Sequence, residues 1–112
     1  MLRFVGLTVV ASLGFSGVAA AQGASAAKGA QVYADQKCSL CHSVAGKGNA
    51  KGPLDEVAGK MSADEIRSWI TSPAEMTKKT NAQRKPPMKA YPNLSKDDVD
   101  SLVAYIESLK KK

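Results

Sequence analysis

The chain has 112 residues, 44% of them hydrophobic, and its 16 basic and 10 acidic side chains give a formal net charge of +6 at pH 7. That length allows one small domain with a limited core, a size at which a covalent or ligand staple is commonly needed. The basic residues are dispersed and no nucleic-acid-binding motif accompanies them, which argues against nucleic acid as a partner; a modest positive charge suits an acidic protein surface instead.

Residues 1–21 read as a secretory signal peptide. Arg3 supplies the positive n-region, Phe4 to Val18 the apolar stretch, and Ala19-Ala20-Ala21 an A-x-A cleavage site before Gln22. The apolar run falls short of the roughly 20 residues that cross a bilayer and small residues interrupt it, so a retained anchor is the weaker alternative. No stable membrane insertion of the mature chain is expected. Residues 22–112 then form the working domain. Within it, Gln22 to Ala27 are small and unpatterned and read as a frayed terminus. A first helix is expected from about Ala26 to Gln36, with Gly29 and Tyr33 on one face. Glycine inside a helix costs about 1 kcal/mol relative to alanine, and its use here is the close approach of another helix.

The next stretch, Cys38-Ser39-Leu40-Cys41-His42, carries the chemistry. Two thiols two residues apart could form half of a zinc site, a dithiol redox pair or a plain disulfide. Zinc wants a second pair of ligands, and the only cysteines and the only histidine of the chain lie in these five residues. A dithiol oxidoreductase carries its pair within alternating strands and helices, and no strand run is evident. A disulfide would close too small a loop to stabilise much and leaves His42 unexplained. The pattern C-x-x-C-H is that of covalent haem attachment: the thiols form thioethers to the porphyrin vinyl groups, and the adjacent imidazole coordinates iron from one side. Export agrees with it, because c-type haem is attached outside the bacterial inner membrane.

Residues 45–53 are glycine-rich and turn-forming, hence a loop beside the haem. A second helix starts at Ser62, where Glu65 completes a capping box, continues through Ile66, Trp69 and Ile70, and stops near Ser72-Pro73. Trp69 is read as a core aromatic or a functional indole with equal ease. From Ala74 to Leu94 three prolines, several lysines and little periodicity suggest a long irregular segment wrapped on a ligand. The last helix starts at the capping Ser95, has Asp97, Asp98 and Asp100 in its first turn, ends in Lys110 to Lys112 and buries Val99, Leu102, Val103 and Ile106.

The sixth position on iron has no second histidine to fill it. Met61, Met76 and Met88 are the thioether candidates, and methionine ligation raises the reduction potential, as electron transfer wants. Met88 is favoured because Pro86-Pro87 stiffen the backbone before it; Met76, just past a helix end, comes second.

These residues, in order, resemble a known family. Gly29 and Tyr33 ahead of the Cys38–His42 motif, Gly52-Pro53, Pro87-Met88-Lys89-Ala90-Tyr91, and Leu94-Ser95 leading to Leu102-Val103-Ala104-Tyr105-Ile106 look like a class I monohaem cytochrome c of the small bacterial periplasmic type. The family commonly has proline directly after its ligand methionine, whereas here the prolines precede Met88 and Lys89 follows it. The resemblance implies an all-α fold with three to four helices wrapped round one covalently attached haem, the first and last crossing near a right angle at Gly29. It implies that the Pro53 carbonyl accepts a hydrogen bond from the His42 ring. It further implies that Trp69 bonds a haem propionate.

The expected function is a monomeric periplasmic carrier of one electron on haem c with His42 and Met88 as axial ligands. It would pass that electron between redox partner proteins with acidic docking surfaces, without transforming a substrate. Two alternatives are a haem-based sensor or ligand-binding protein, and a cytochrome subunit docked to a larger oxidoreductase complex.

Overall fold

The computed structural model describes residues 17–109, with side chains from Ser25 onward. Most of the signal-peptide reading, residues 1–16, lies outside the described residues. The first helix, α1 (Gly17–Asp35), begins well before the expected Ala26, so the stretch read as frayed is helical. Alanine is the best helix former, and the small residues that resembled a loose terminus are mostly alanines.

Among the described residues there are five α-helices: α1, α2 (Val57–Lys60), α3 (Ala63–Thr71), α4 (Pro73–Thr80) and α5 (Lys96–Ser108). Helices α1, α3 and α5 are the three that the sequence signals. Helix α4 corrects the reading of Ala74 to Leu94 as irregular throughout. Pro73 opens it at a position where the missing N–H is no loss and the fixed φ is helical, and Asn81 closes it in the left-handed conformation at φ 54°. Only the part after Asn81 remains irregular, with a cis Lys85–Pro86 bond. Helix α2 is a single turn, too short to leave a periodic signal.

Both expected caps form. In α3 the Glu65 amide donates to Ser62 Oγ at 3.2 Å while the Ser62 amide donates to the Glu65 carboxylate at 3.2 Å. In α5 Asp98 plays the glutamate's part, its amide donating to Ser95 Oγ at 3.1 Å and its carboxylate accepting from the Ser95 amide at 3.4 Å.

The core gathers Val32 and Tyr33 from α1, Ile66 and Ile70 from α3, and Val99, Leu102, Val103 and Ile106 from α5. Burying such a side chain contributes about 1.5–3 kcal/mol. The largest interface is α1 on α5. The Tyr33 and Tyr105 rings meet there at 5.6 Å between centroids, tilted by 56°. Lys28 reaches Asp98 at 3.5 Å across the same pair of helices. Asp100 takes Lys96 at 2.9 Å and Arg67 from α3, and these hydrogen bonds, Lys96 first, hold its carboxyl below the usual range. No described helix is long and apolar enough to cross a membrane.

Between α1 and α2 the chain makes a two-residue antiparallel pair, β1 (Ser43–Val44) with β2 (Lys47–Gly48). Ala45 and Gly46, at φ 52° and 78°, form the turn between them. The Ala45 amide donates to Asp55 at 2.8 Å, which fastens this turn to the segment ahead of α2.

Candidate functional site

Helix α1 stops at Asp35, and Lys37 in the left-handed region at φ 57° redirects the chain into a 3-10 turn over Cys38–Leu40. The amides of Cys41 and His42 both return to the Cys38 carbonyl, at 3.1 and 2.9 Å. One tight turn therefore carries both thiols and the imidazole. Cys38 is half-buried against the core and Cys41 is exposed; both are free. Burial pushes the Cys38 thiol up. Leu40, between them, is 70% exposed.

A second segment holds this turn in shape. The Asn49 amide donates to the carbonyls of Ser39 at 3.1 Å and His42 at 2.9 Å, and its side-chain amide donates to the Leu40 carbonyl at 3.1 Å. Asn49 carried no sequence signal beyond membership of a turn-forming loop.

His42 is half-buried, and its Nδ1–H donates to the Gly52 carbonyl at 3.0 Å. A carbonyl only accepts, so this bond places the ring proton on Nδ1 and leaves the Nε2 lone pair free to bind a metal. The acceptor corrects the expectation of Pro53. The amide of Leu54 turns inward to the Ser43 carbonyl at 2.9 Å. Since N–H and C=O of one peptide point in opposite directions, the Pro53 carbonyl faces away. Gly52, whose carbonyl also accepts from the Ser43 amide at 3.1 Å, takes its place. Burial, then the Arg84 charge, press the imidazole toward its neutral form against the opposing effect of the Gly52 bond. Neutral imidazole is the metal-binding form.

The loop after Asn81 returns to this turn. Burial raises the Tyr91 phenol, and the Cys38 and Cys41 thiols add to the effect. The Lys89 ammonium sits 5.6 Å from the Tyr91 ring centroid. Met88, one residue earlier, is half-buried and shares a surface cleft with Thr71 to Glu75 at the α3–α4 corner. The other thioethers are committed elsewhere. Met76 is buried on α4 and Met61 packs against the core. Trp69 is half-buried on α3, which packs chiefly on α5 and α4.

The donor set fits covalent haem c. Two free thiols stand one turn apart, and a neutral imidazole is tethered at Nδ1 with Nε2 available. Cys38 and Cys41 would hold the porphyrin and His42 the iron, whose chemistry is a one-electron couple.

Comparison with known proteins agrees. The family model described as Cytochrome c matches residues 26–110. Cytochrome c oxidase subunit 2 of Alkalihalophilus pseudofirmus is 34% identical over 92 residues, covering 74% of this chain. The chain spans only about a quarter of that relative, 25% of its length. No solved structure gives a significant match. With its attachment turn, its oriented imidazole and a family match over most of its length, the chain belongs to the cytochrome c family, whose covalently bound haem c carries electrons.

Proposed function

We propose that this chain is a periplasmic carrier holding one haem c, attached through Cys38 and Cys41 and ligated by His42 and Met88, that moves single electrons between partner proteins. The observation that carries this reading is the 3.0 Å bond from His42 Nδ1–H to Gly52, which presents a free Nε2 beside two free thiols. Met88 is the sixth ligand because its half-buried side chain lies on the loop from which Arg84 reaches the Gly52 peptide beside His42, whereas the side chains of Met76 and Met61 are spent on packing. When bound, the haem supplies the electron-accepting iron; the chain positions it and transforms no substrate itself. Arg3 and the apolar stretch after it support export, which is where haem is attached to such motifs.

Partners with acidic faces fit the surface. Lys37, Lys47, Lys51, Arg84, Lys85 and Lys89 are all exposed on the segments that surround the attachment turn. Long-range attraction speeds brief encounters without a large buried interface, and it is screened over about 8 Å at physiological salt.

Denaturing electrophoresis with haem staining tests the central claim: wild-type protein exported with a working maturation system keeps its haem, and the Cys38→Ala, Cys41→Ala double variant does not. Loss of all haem from the wild type into acidified acetone would refute covalent attachment.

A second reading has its own support in the relative named cytochrome c oxidase subunit 2, of which this chain matches a fraction. There the chain would serve as a cytochrome module docked to a larger oxidoreductase. Purification as a monomer at moderate salt separates the carrier from the docked module. Absence of spectral change with carbon monoxide separates both from a ligand-binding sensor.

A further inference from the structure

Gly52 has no side chain, and three groups converge on the space one would take: Arg84 Nη1, the Cys41 carbonyl oxygen and, 3.0 Å from the Cβ position, His42 Nδ1. The carbonyl of this same glycine accepts the His42 ring proton. Arg84 thus reaches back from the irregular loop and lays its guanidinium on the peptide that orients the imidazole. None of the described ion pairs involves Arg84, so no carboxylate neutralises it there. Its planar, positively charged fork suits it to lie against a bare peptide.

We infer that Arg84 is a positioning residue for the axial imidazole: its guanidinium holds the Gly52 peptide against His42 Nδ1 and sets a fixed positive charge beside the ligand, raising the reduction potential of the bound iron. The charge sets the direction: a nearby cation favours the less positive, reduced iron, whereas the Gly52 bond fixes the ligand's orientation and, by raising its basicity, offsets only part of that shift. This inference rests on His42 being an axial ligand.

The test compares wild type, Arg84→Gln, Arg84→Lys and Lys85→Gln as holoproteins, by redox titration and by proton NMR of the reduced state. Arg84→Gln is expected to shift the midpoint to lower potential and to speed hydrogen exchange at His42 Nδ1. Arg84→Lys recovers part of the potential, and Lys85→Gln, one residue along the same exposed loop, stays closer to wild type in both readouts. Unchanged potential and exchange in Arg84→Gln, or an equal shift in Lys85→Gln, would overturn the inference while leaving the cytochrome assignment intact. A His42→Ala variant whose visible spectrum and potential match the wild type would overturn the histidine ligation and this inference with it.

Discussion

Gly29 of α1 and Tyr105 of α5 are in such close approach that a Cβ built on the glycine would lie 2.6 Å from the Cβ of the tyrosine. The Ser101 backbone carbonyl crowds the same spot, its carbon also at 2.6 Å. Backbone cannot swing aside as a flexible side chain can, so the helices must separate to admit even a methyl group.

Gly29→Val is therefore expected to destabilise the holoprotein by at least the roughly 1–3 kcal/mol typical of overpacking. Gly59 is the contrast, a helical glycine of α2 with nothing within 4 Å of its Cβ position. Gly59→Ala should be neutral or stabilising by about 0.4–1 kcal/mol, because it restricts the unfolded chain without a clash. Denaturant midpoints for both variants check the pair. Unchanged stability in Gly29→Val would mean that α1 and α5 do not meet at that residue.

Both serine caps should be worth measurable stability. Ser62→Ala and Ser95→Ala each remove an acceptor for the third amide of a helix and are expected to cost about 1 kcal/mol. Urea unfolding at constant m-value reads this directly, and no loss in either variant would show that water serves these helix ends equally well.

Tyr33 makes a prediction at alkaline pH. Its hydroxyl is buried without a hydrogen-bond partner, and burial first, with nearby groups adding, pushes its pKa from 10.0 up to about 12. The unfolded chain loses this proton near pH 10, while the native state keeps it to about 12. Its contribution is therefore complete below pH 10 and is lost as pH rises from there to about 12. Tyr33→Phe should flatten the fall in stability across that window and should cost little at neutral pH, since it removes a buried hydroxyl that lacks a partner. Chemical denaturation of both proteins between pH 8 and pH 12 checks it; parallel curves would count against a buried neutral phenol.

The methionines separate by two independent readouts. Met88→Ala should abolish the far-red sulfur-to-iron absorption of the oxidised protein and lower its potential with modest effect on stability. Met76→Ala, which empties a site only 7% exposed, should keep the band and cost about 2–5 kcal/mol. Loss of the band in the Met76 variant alone would transfer the ligand assignment to α4.

Local chemistry made much of this protein legible in its residues. The C-x-x-C-H spacing, the capping boxes at Ser62 and Ser95 and the apolar face of α5 depend on neighbours within a few positions, and all lie where that spacing puts them. Gly29 was legible for a related reason, because an otherwise costly glycine within a helix needs a close neighbour to explain it.

Tertiary structure decided the rest. Whether Gly52 or Pro53 faces His42 depends on which way one peptide turns, and the distant pairing of Ser43 with Gly52 and Leu54 sets that turn. Helix α4 could not be distinguished from loop by periodicity over eight residues opened by a proline. Arg84 looked like one solvated cation among many until the fold carried it to the bare face of Gly52. Such long-range placements follow from the packing of the whole chain, and no short window of sequence contains them.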